Sequence, residues 1–184
     1  MLIFRDKETY EFAAILRDHG MSKEKRYWHD VVGFNYRMTN LQAAIGVAQM
    51  ERIEEIIAKK RELAHAYNSV LKDFNGLQLQ SETRETISSF CLYTMLVKAE
   101  SGFTREELQQ SLAKSGVESR PAFFCLHTMP VYAAFKQGRS FENSLFISAH
   151  GLSLPSYIDL TEEELAHVMQ TIKDLRSIKS LTKL

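Results

Sequence analysis

The stretch that decides the fold is Arg26-Tyr-Trp-His-Asp-Val-Val-Gly-Phe-Asn-Tyr-Arg-Met-Thr-Asn-Leu-Gln-Ala-Ala-Ile-Gly46. Its first half concentrates aromatic, basic and amide side chains without helical or alternating periodicity, which is typical of an ordered loop. Exposed aromatic side chains favour association unless a ligand or a partner subunit covers them, so the loop is the first candidate for a functional site. The residues alone also allow a simpler interpretation, in which Trp28, Phe34 and Tyr36 only wedge between helices.

The second half of this stretch begins a helix. Thr39 supplies a hydroxyl N-cap and Gln42 follows three residues later, which is the capping-box arrangement. Apolar residues then recur at intervals of three and four until Asn75-Gly76. The pattern predicts one helix over 39–75, roughly 50 Å long, that links two domains.

Two elements are predicted before the loop. Residues 1–4 are apolar and predict a β-strand, and Asp6 can cap a helix that stops at Gly20. A parallel strand needs neighbours in its sheet and helices on its faces. Residues 1–38 are therefore predicted to form the end of a larger α/β sheet together with the loop.

Beyond Gly76 the pattern predicts a small α+β domain over 76–184. Extended segments are predicted over 88–98, 117–124 and 152–158. Two helices carry capping-box signals, Thr104 with Glu107 and Thr161 with Glu164. The predicted fold class is thus α/β: the end of a large-domain sheet, a long linking helix and a small carboxyl-terminal α+β domain.

Length and charge limit the function classes. The 184 residues suffice for one sizeable domain or two small ones, and Lys plus Arg equal Asp plus Glu at 23 each. Without a net field or a run of like charges, no nucleic-acid partner is expected. No apolar run reaches the length of a signal-peptide core or a membrane span, so we expect no membrane partner and a cytoplasmic location. Cys91 and Cys125 are interpreted as buried small hydrophobic residues.

No metal site or common catalytic motif stands out. The histidines are scattered, and the signatures of nucleophile elbows, phosphate loops and dinucleotide folds are missing from the sequence. Asn35 and Arg37 are the candidates that remain. An asparagine amide donates two N–H groups without charge and arginine offers a planar fork, so together they suit a phosphate or carboxylate at a subunit boundary.

Three blocks in order resemble the DegT/DnrJ/EryC1/StrS family of nucleotide-sugar aminotransferases, which use pyridoxal phosphate. The blocks are Gly33-Phe-Asn-Tyr-Arg-Met38, the segment 116–132 with its Arg-Pro, Leu-His and Pro-x-Tyr signatures, and Leu152-Ser-Leu-Pro-Ser-Tyr-Ile-Asp-Leu-Thr161. The resemblance spans nearly the whole chain and implies a fragment of a fold-type I pyridoxal-phosphate-dependent transferase.

The resemblance implies roles for five residues. In the family, the position that matches Asn35 reaches across a homodimer and binds the phosphate of the partner's pyridoxal phosphate. His29 and Arg37 are then expected near the nucleotide-sugar or amino-donor site, and Arg120 and His127 are expected to contact the sugar nucleotide. For His127, a histidine that is only hydrogen-bonded within its loop is an equal alternative.

The family places the lysine that carries the cofactor upstream of the matched region. No lysine here has similar surroundings, so we expect a carboxyl-terminal half that is inactive alone, contains no catalytic residue and leaves most cofactor contacts to the other half. The resemblance implies amino transfer from glutamate to a nucleotide-linked 4-keto-6-deoxy sugar. Three alternatives stay open: a dehydratase of the same family with histidine in place of that lysine, a non-catalytic dimerisation or sugar-nucleotide-binding module, and a split enzyme.

Overall fold

A computed structural model of the chain describes residues 2–135 and 138–181. The chain divides into two compact units, Met1–Ile53 and Glu54–Leu184. Helices and a small antiparallel sheet make up a mixed α/β architecture, which confirms the predicted fold class. The predicted division at 38 and 75 into three parts stays a prediction.

The first unit contains two helices, α1 (Lys7–Arg17) and α2 (Asn40–Glu51). Asp6 caps α1 by accepting hydrogen bonds from the Thr9 amide at 2.7 Å and the Thr9 hydroxyl at 2.9 Å, and these bonds lower the pKa of Asp6. Thr39 and Gln42 form the predicted capping box at the start of α2. Both predicted helix starts are confirmed.

The strand predicted over residues 1–4 is not formed in the described part of the chain. Residues 2–4 have no regular secondary structure, and Met1 lies outside the described residues. A strand exists only when a neighbouring strand pairs with it. The described chain supplies no such neighbour at this place, so the apolar pattern alone could not produce a strand.

The loop after α1 is tied to the carboxyl end of that helix by main-chain hydrogen bonds. Three loop amides donate to the last carbonyls of the helix: Gly20 to Ile15 at 2.9 Å, Phe34 to Leu16 at 2.6 Å and Tyr36 to Arg17 at 3.0 Å. The His19 amide donates in turn to the Phe34 carbonyl at 2.9 Å. A helix leaves its last carbonyls unpaired, so residues 34–36, here named the docked segment, stabilise the helix end and are fixed by it.

Two glycines allow this close approach of main chains. Gly20 has a φ of +69°, and a Cβ built on it would lie 2.0 Å from the Val31 carbonyl oxygen. A Cβ built on Gly33 would lie 2.0 Å from the Gly20 nitrogen. Any side chain at either position would force the two backbones apart.

The single helix predicted over 39–75 is divided in the structure. Helix α2 ends at Glu51 and α3 spans Ile53–Leu71, while Arg52 has φ −108° and ψ 8°. The Arg52 amide donates to the Gln49 carbonyl at 3.2 Å, as in a tighter helical turn. Neither glycine nor proline stands at the break, so the sequence carries no signal for it.

A four-stranded antiparallel sheet organises the second unit. Its order is β1 (Leu77–Gln78), β2 (Tyr93–Val97), β4 (Gly151–Leu154) and β3 (Arg120–Pro121). Two predicted strands are shortened, because the backbone of Phe90 has a φ of 45° and because Pro121 lacks the N–H that would continue the ladder. The extended segment predicted over 152–158 corresponds to β4 in its first part.

Among the described residues, the second unit also contains the α-helices α4 (Arg105–Lys114), α5 (Glu142–His150) and α6 (Glu162–Leu181). Capping boxes form at Thr104 with Glu107 and at Thr161 with Glu164, as predicted. The core lies where the sheet meets α3, α4 and α6, and its fully buried side chains include Tyr67, Tyr93, Leu112, Leu152 and Ile172. In the described ranges, no helix has the length and apolar content needed to cross a membrane.

The prediction that both cysteines are buried is wrong. Cys91 is exposed and Cys125 is half-buried. Beside Cys91, it is Phe90 that enters the core, and the backbone of Phe90 has a positive φ.

An ion pair attaches the segment before β2 to helix α3. Arg61 donates to the two carboxylate oxygens of Glu82 at 2.7 and 3.1 Å and to the Ser88 carbonyl at 2.6 Å. The Ser88 amide donates back to Glu82 at 2.5 Å. The hydrogen bond from Arg61, together with that amide, lowers the pKa of Glu82 to about 2.

Replacing Glu82 with glutamine tests this attachment. A pKa lowered from 4.5 to about 2 means that ionised Glu82 stabilises the fold above pH 4.5, and that this contribution is lost as the pH falls through that interval. We expect Glu82→Gln to lower the free energy of unfolding at pH 7, and the difference from wild type to shrink toward pH 2. This difference in free energy of unfolding is measured at each pH by urea titration, with the circular dichroism of the tyrosines as the signal. The exposed Glu85→Gln is the control, and a pH-independent difference for Glu82→Gln would contradict the pair.

The contact between Gly20 and Gly33 predicts a strong effect of one methyl group. We expect Gly33→Ala to displace the loop, to lower stability by more than about 1 kcal/mol and to shift the emission of Trp28, the only tryptophan. Gly46→Ala in α2 is the matched control, because a Cβ there meets nothing within 4 Å and alanine favours a helix by up to about 1 kcal/mol. Equal emission and equal stability for the two variants would show that the backbones do not touch.

Candidate functional site

Asn35 lies at the centre of the docked segment. Its backbone pairs with Asp18 in an antiparallel bridge, and the rings of Phe34 and Tyr36 stack with centroids 5.2 Å apart and planes 13° apart. Successive side chains of paired, extended backbone alternate in direction, so the Asn35 amide lies opposite the two rings. The Asn35 side chain is exposed and has no hydrogen-bond partner among the described residues.

His29 and Arg37 are held by the same turn that pairs with Asn35. His29 places Nδ1 2.9 Å from the His19 carbonyl oxygen, and Arg37 lies 3.4 Å from both carboxylate oxygens of Asp18. The ion pair is exposed, so its contribution to stability is small. The structure therefore brings three of the five predicted site residues together around Asp18 and His19.

Trp28 is half-exposed and does not wedge into a core. Its Nε1–H donates to Asp30 at 2.9 Å, and the Lys25 ammonium lies 4.1 Å from the ring centre. Phe34 and Tyr36 also remain at least half exposed, at 50% and 73%. Within this unit these aromatic side chains are thus half or more exposed, which favours the interpretation in which a ligand or another polypeptide covers them.

Arg120 lies in the second unit, at the edge of a cleft of about 750 Å³. The cleft lies beside β3 and the first turns of α6, with Lys60 and His167 also in its wall. Arg120 donates to Glu118 from Nε at 3.1 Å and from a terminal nitrogen at 2.8 Å. Both side chains are more than three-quarters exposed, so a ligand can compete for the guanidinium at little cost.

Other polar groups of this cleft already bind the protein itself. Glu164 accepts hydrogen bonds from the Thr161 amide and the Tyr157 hydroxyl, which lower the pKa of Glu164, and the same bond raises the pKa of Tyr157. Lys60 donates to the carbonyls of Cys91 and Ser156. Arg120 is thus the cation of the cleft wall most open to exchange its partner.

His127 does not share that cleft wall. It lies in a 3-10 turn, Leu126–Thr128, and its ring packs on Phe141 with centroids 4.5 Å apart and planes tilted by 30°. Of the two residues expected to contact the sugar nucleotide, only Arg120 therefore lines the cleft in the described structure.

Asp18 and His19 are site-forming residues that the sequence did not reveal. The sequence marks them only as the end of a helix before Gly20. In the structure they hold Arg37 and His29, while their main chain pairs with the docked segment. The partners in these contacts are largely main-chain atoms, which leave no pattern in side-chain type.

The loop fits the phosphate end of pyridoxal phosphate, the cofactor that the family implies. The Asn35 amide is an exposed donor without a partner in the described chain, and the Arg37 guanidinium is paired to the neighbouring turn. Phosphate oxygens accept such N–H donors. These residues fit the phosphate group of the cofactor, and no fit to its ring is inferred from them.

Two curated relatives of the chain are named GDP-perosamine synthase. It is 34% identical over 180 residues to the GDP-perosamine synthase of Escherichia coli O157:H7, with 97% of this chain and 48% of the relative covered. It is 38% identical over 159 residues to the GDP-perosamine synthase of Vibrio cholerae, with 86% and 43% covered. The chain spans about half the length of the curated relatives it matches.

A solved structure with the same fold is Helicobacter pylori PseC, an aminotransferase involved in the biosynthesis of pseudoaminic acid. The TM-score is 0.81 at 21% identity, and the match covers 94% of this chain and 47% of PseC. At this identity the likeness concerns the fold alone. Residues 1–173 match the DegT/DnrJ/EryC1/StrS aminotransferase family, and the chain therefore belongs to that family.

Proposed function

We propose that this chain is part of a pyridoxal-phosphate-dependent aminotransferase that moves an amino group from glutamate to a nucleotide-linked 4-keto-6-deoxy sugar. The perosamine type of sugar is proposed because the relatives named above are GDP-perosamine synthases. Such an enzyme would serve surface-polysaccharide biosynthesis in the cytoplasm. Pyridoxal phosphate supplies the electron-withdrawing ring on which amino transfer depends.

The specific task proposed for this chain is to hold the phosphate of a neighbouring subunit's cofactor. The observation that carries it is the exposed Asn35 amide on a docked segment whose main chain is fixed to α1. A donor that is already positioned loses little conformational freedom when the phosphate binds. Arg37 would add positive charge beside it, at the expense of its weak pair with Asp18.

Apolar side chains of α2 support a dimer in which the first unit is covered. Leu41, Ile45 and Met50 are each about two-thirds or more exposed, and no residue of α2 is buried. Exposed apolar side chains of this kind favour contact with another polypeptide. In the proposed homodimer, this contact brings the docked segment of one subunit to the cofactor of the other.

Arg120 is proposed to contact the sugar nucleotide from the second unit. Its guanidinium can leave Glu118 for a phosphate group, because a bidentate arginine–phosphate pair is stronger than an exposed ion pair. His127 is kept as a second proposed contact, with the packing on Phe141 as its competing structural role. Neither residue is proposed to transfer a proton.

Substitution of Asn35 in the intact enzyme tests the proposed task. A lost hydrogen bond to a charged group costs about 1.5–3 kcal/mol, so Asn35→Ala is expected to weaken cofactor binding roughly tenfold to a hundredfold. Asn35→Asp is expected to weaken it further, since a carboxylate repels phosphate. The measurement is retention of the cofactor absorbance during dialysis. Asn143→Ala, an exposed asparagine of α5, is the control, and unchanged retention and turnover in Asn35→Ala would refute the assignment.

Mixed dimers establish which subunit Asn35 serves. One subunit carries Asn35→Asp and the other lacks the cofactor-bearing lysine. If Asn35 serves its neighbour, one site of the mixed dimer has both groups intact, and activity is recovered. If Asn35 serves its own subunit, both sites stay defective and the mixed dimer is inactive.

The product formed by the intact enzyme decides among the function classes. Release of 2-oxoglutarate from glutamate with an aminated sugar nucleotide supports the proposal. Loss of a sugar hydroxyl without amino transfer identifies the dehydratase alternative. Binding of the sugar nucleotide without turnover identifies the non-catalytic module.

A further inference from the structure

A main-chain carbonyl fixes the tautomer of His29. Its Nδ1 lies 2.9 Å from the His19 carbonyl oxygen. A carbonyl oxygen only accepts hydrogen bonds, so Nδ1 carries the proton and donates. In the neutral imidazole the other nitrogen, Nε2, then has a free lone pair and acts as an acceptor.

The carbonyl that selects this tautomer is itself anchored. His19 has a left-handed φ of 62°, and its amide donates to the Phe34 carbonyl at 2.9 Å. The backbone of His29 pairs with Met21 in an antiparallel bridge. The residues at both ends of the Nδ1 hydrogen bond are therefore held by main-chain pairing.

The ligand chemistry at Nε2 differs from that at the neighbouring candidate residues. Asn35 and Arg37 offer N–H donors, which suit the acceptor oxygens of a phosphate. The His29 side chain is exposed, and its Nε2 has no partner among the described residues. An acceptor at this place suits a hydroxyl and does not suit an anion.

We propose that His29 is a specificity-determining residue whose Nε2 accepts a hydrogen bond from a hydroxyl group of the sugar in the nucleotide-sugar substrate. This inference rests on the proposed function and deepens it by naming the group that the loop recognises. His19 acts as the positioning residue, because its carbonyl holds Nε2 in the acceptor state.

The substitution His29→Asn in the intact enzyme separates recognition from anchoring. An asparagine amide placed near the Nδ1 position can still donate to the His19 carbonyl, but nothing replaces Nε2. We expect a KM for the nucleotide sugar raised roughly twofold to tenfold, the range for the loss of one hydrogen bond between neutral groups. The KM for glutamate, cofactor retention and Trp28 emission are expected to stay at wild-type values. A wild-type KM for the nucleotide sugar would overturn the proposal and leave His29 as an anchor only.

Deoxy analogues of the nucleotide sugar identify the hydroxyl. Each analogue lacks one sugar hydroxyl, and each is measured with wild type and with His29→Asn. For the analogue that lacks the recognised hydroxyl, the two enzymes are expected to have equal KM values, whereas every other analogue keeps the difference. If no analogue removes the difference, hydroxyl recognition by His29 is refuted.

Nuclear magnetic resonance tests the tautomer without any turnover. Ring nitrogens are labelled in the intact protein, and the His29 signals are assigned by their loss in His29→Asn. At pH about 8.5, where an ordinary imidazole is neutral, we expect the Nδ1–H tautomer, and an Nε2–H tautomer would overturn the inference. If amino transfer is not found, dissociation constants for the nucleotide sugar replace KM values. The proposed function then fails, while the role of His29 is still decided.

Discussion

Main-chain hydrogen bonds between the carboxyl end of α1 and residues 34–36 are the constraint on which the candidate site depends. In these hydrogen bonds, loop amides donate to carbonyl oxygens that a helix end otherwise leaves unpaired. Because the anchoring atoms belong to the backbone, the side chains of the docked segment remain free to contact a ligand or another subunit. Asn35 is held in position without using its own amide, which is what a preformed phosphate donor requires.

This anchoring has particular weight in the first unit, where helices provide little core. No residue of α1 or α2 is buried, whereas the second unit surrounds Tyr67, Leu112 and Leu152 with a continuous apolar cluster. The first unit is therefore shaped by helix caps and main-chain pairing, and its apolar side chains remain available for contact. An interface that covers them would bury area that the unit itself leaves exposed.

Local chemistry explains what could be predicted from the sequence. Capping boxes such as Thr39 with Gln42 were correctly predicted, since each needs only two side chains three residues apart. The interruption between α2 and α3 at Arg52 was not predicted, because no residue there disfavours a helix. Strand β2 was predicted to begin too early, at residue 88, since the positive φ of Phe90 is not indicated by its residue type. For the site, the sequence indicated Asn35, His29 and Arg37. Their anchoring by the Asp18 carboxylate and by the main chain of Asp18 and His19 depends on contacts between distant parts of the chain and could not be predicted.

The most direct test of the account is a crystal structure of the intact enzyme with pyridoxal phosphate bound. The account predicts an Asn35 amide nitrogen within hydrogen-bond distance of the phosphate on the neighbouring subunit's cofactor, with the amides of Phe34 and Tyr36 still bonded to the last turn of α1. It would be contradicted by an Asn35 side chain turned into its own subunit, remote from the other subunit's cofactor.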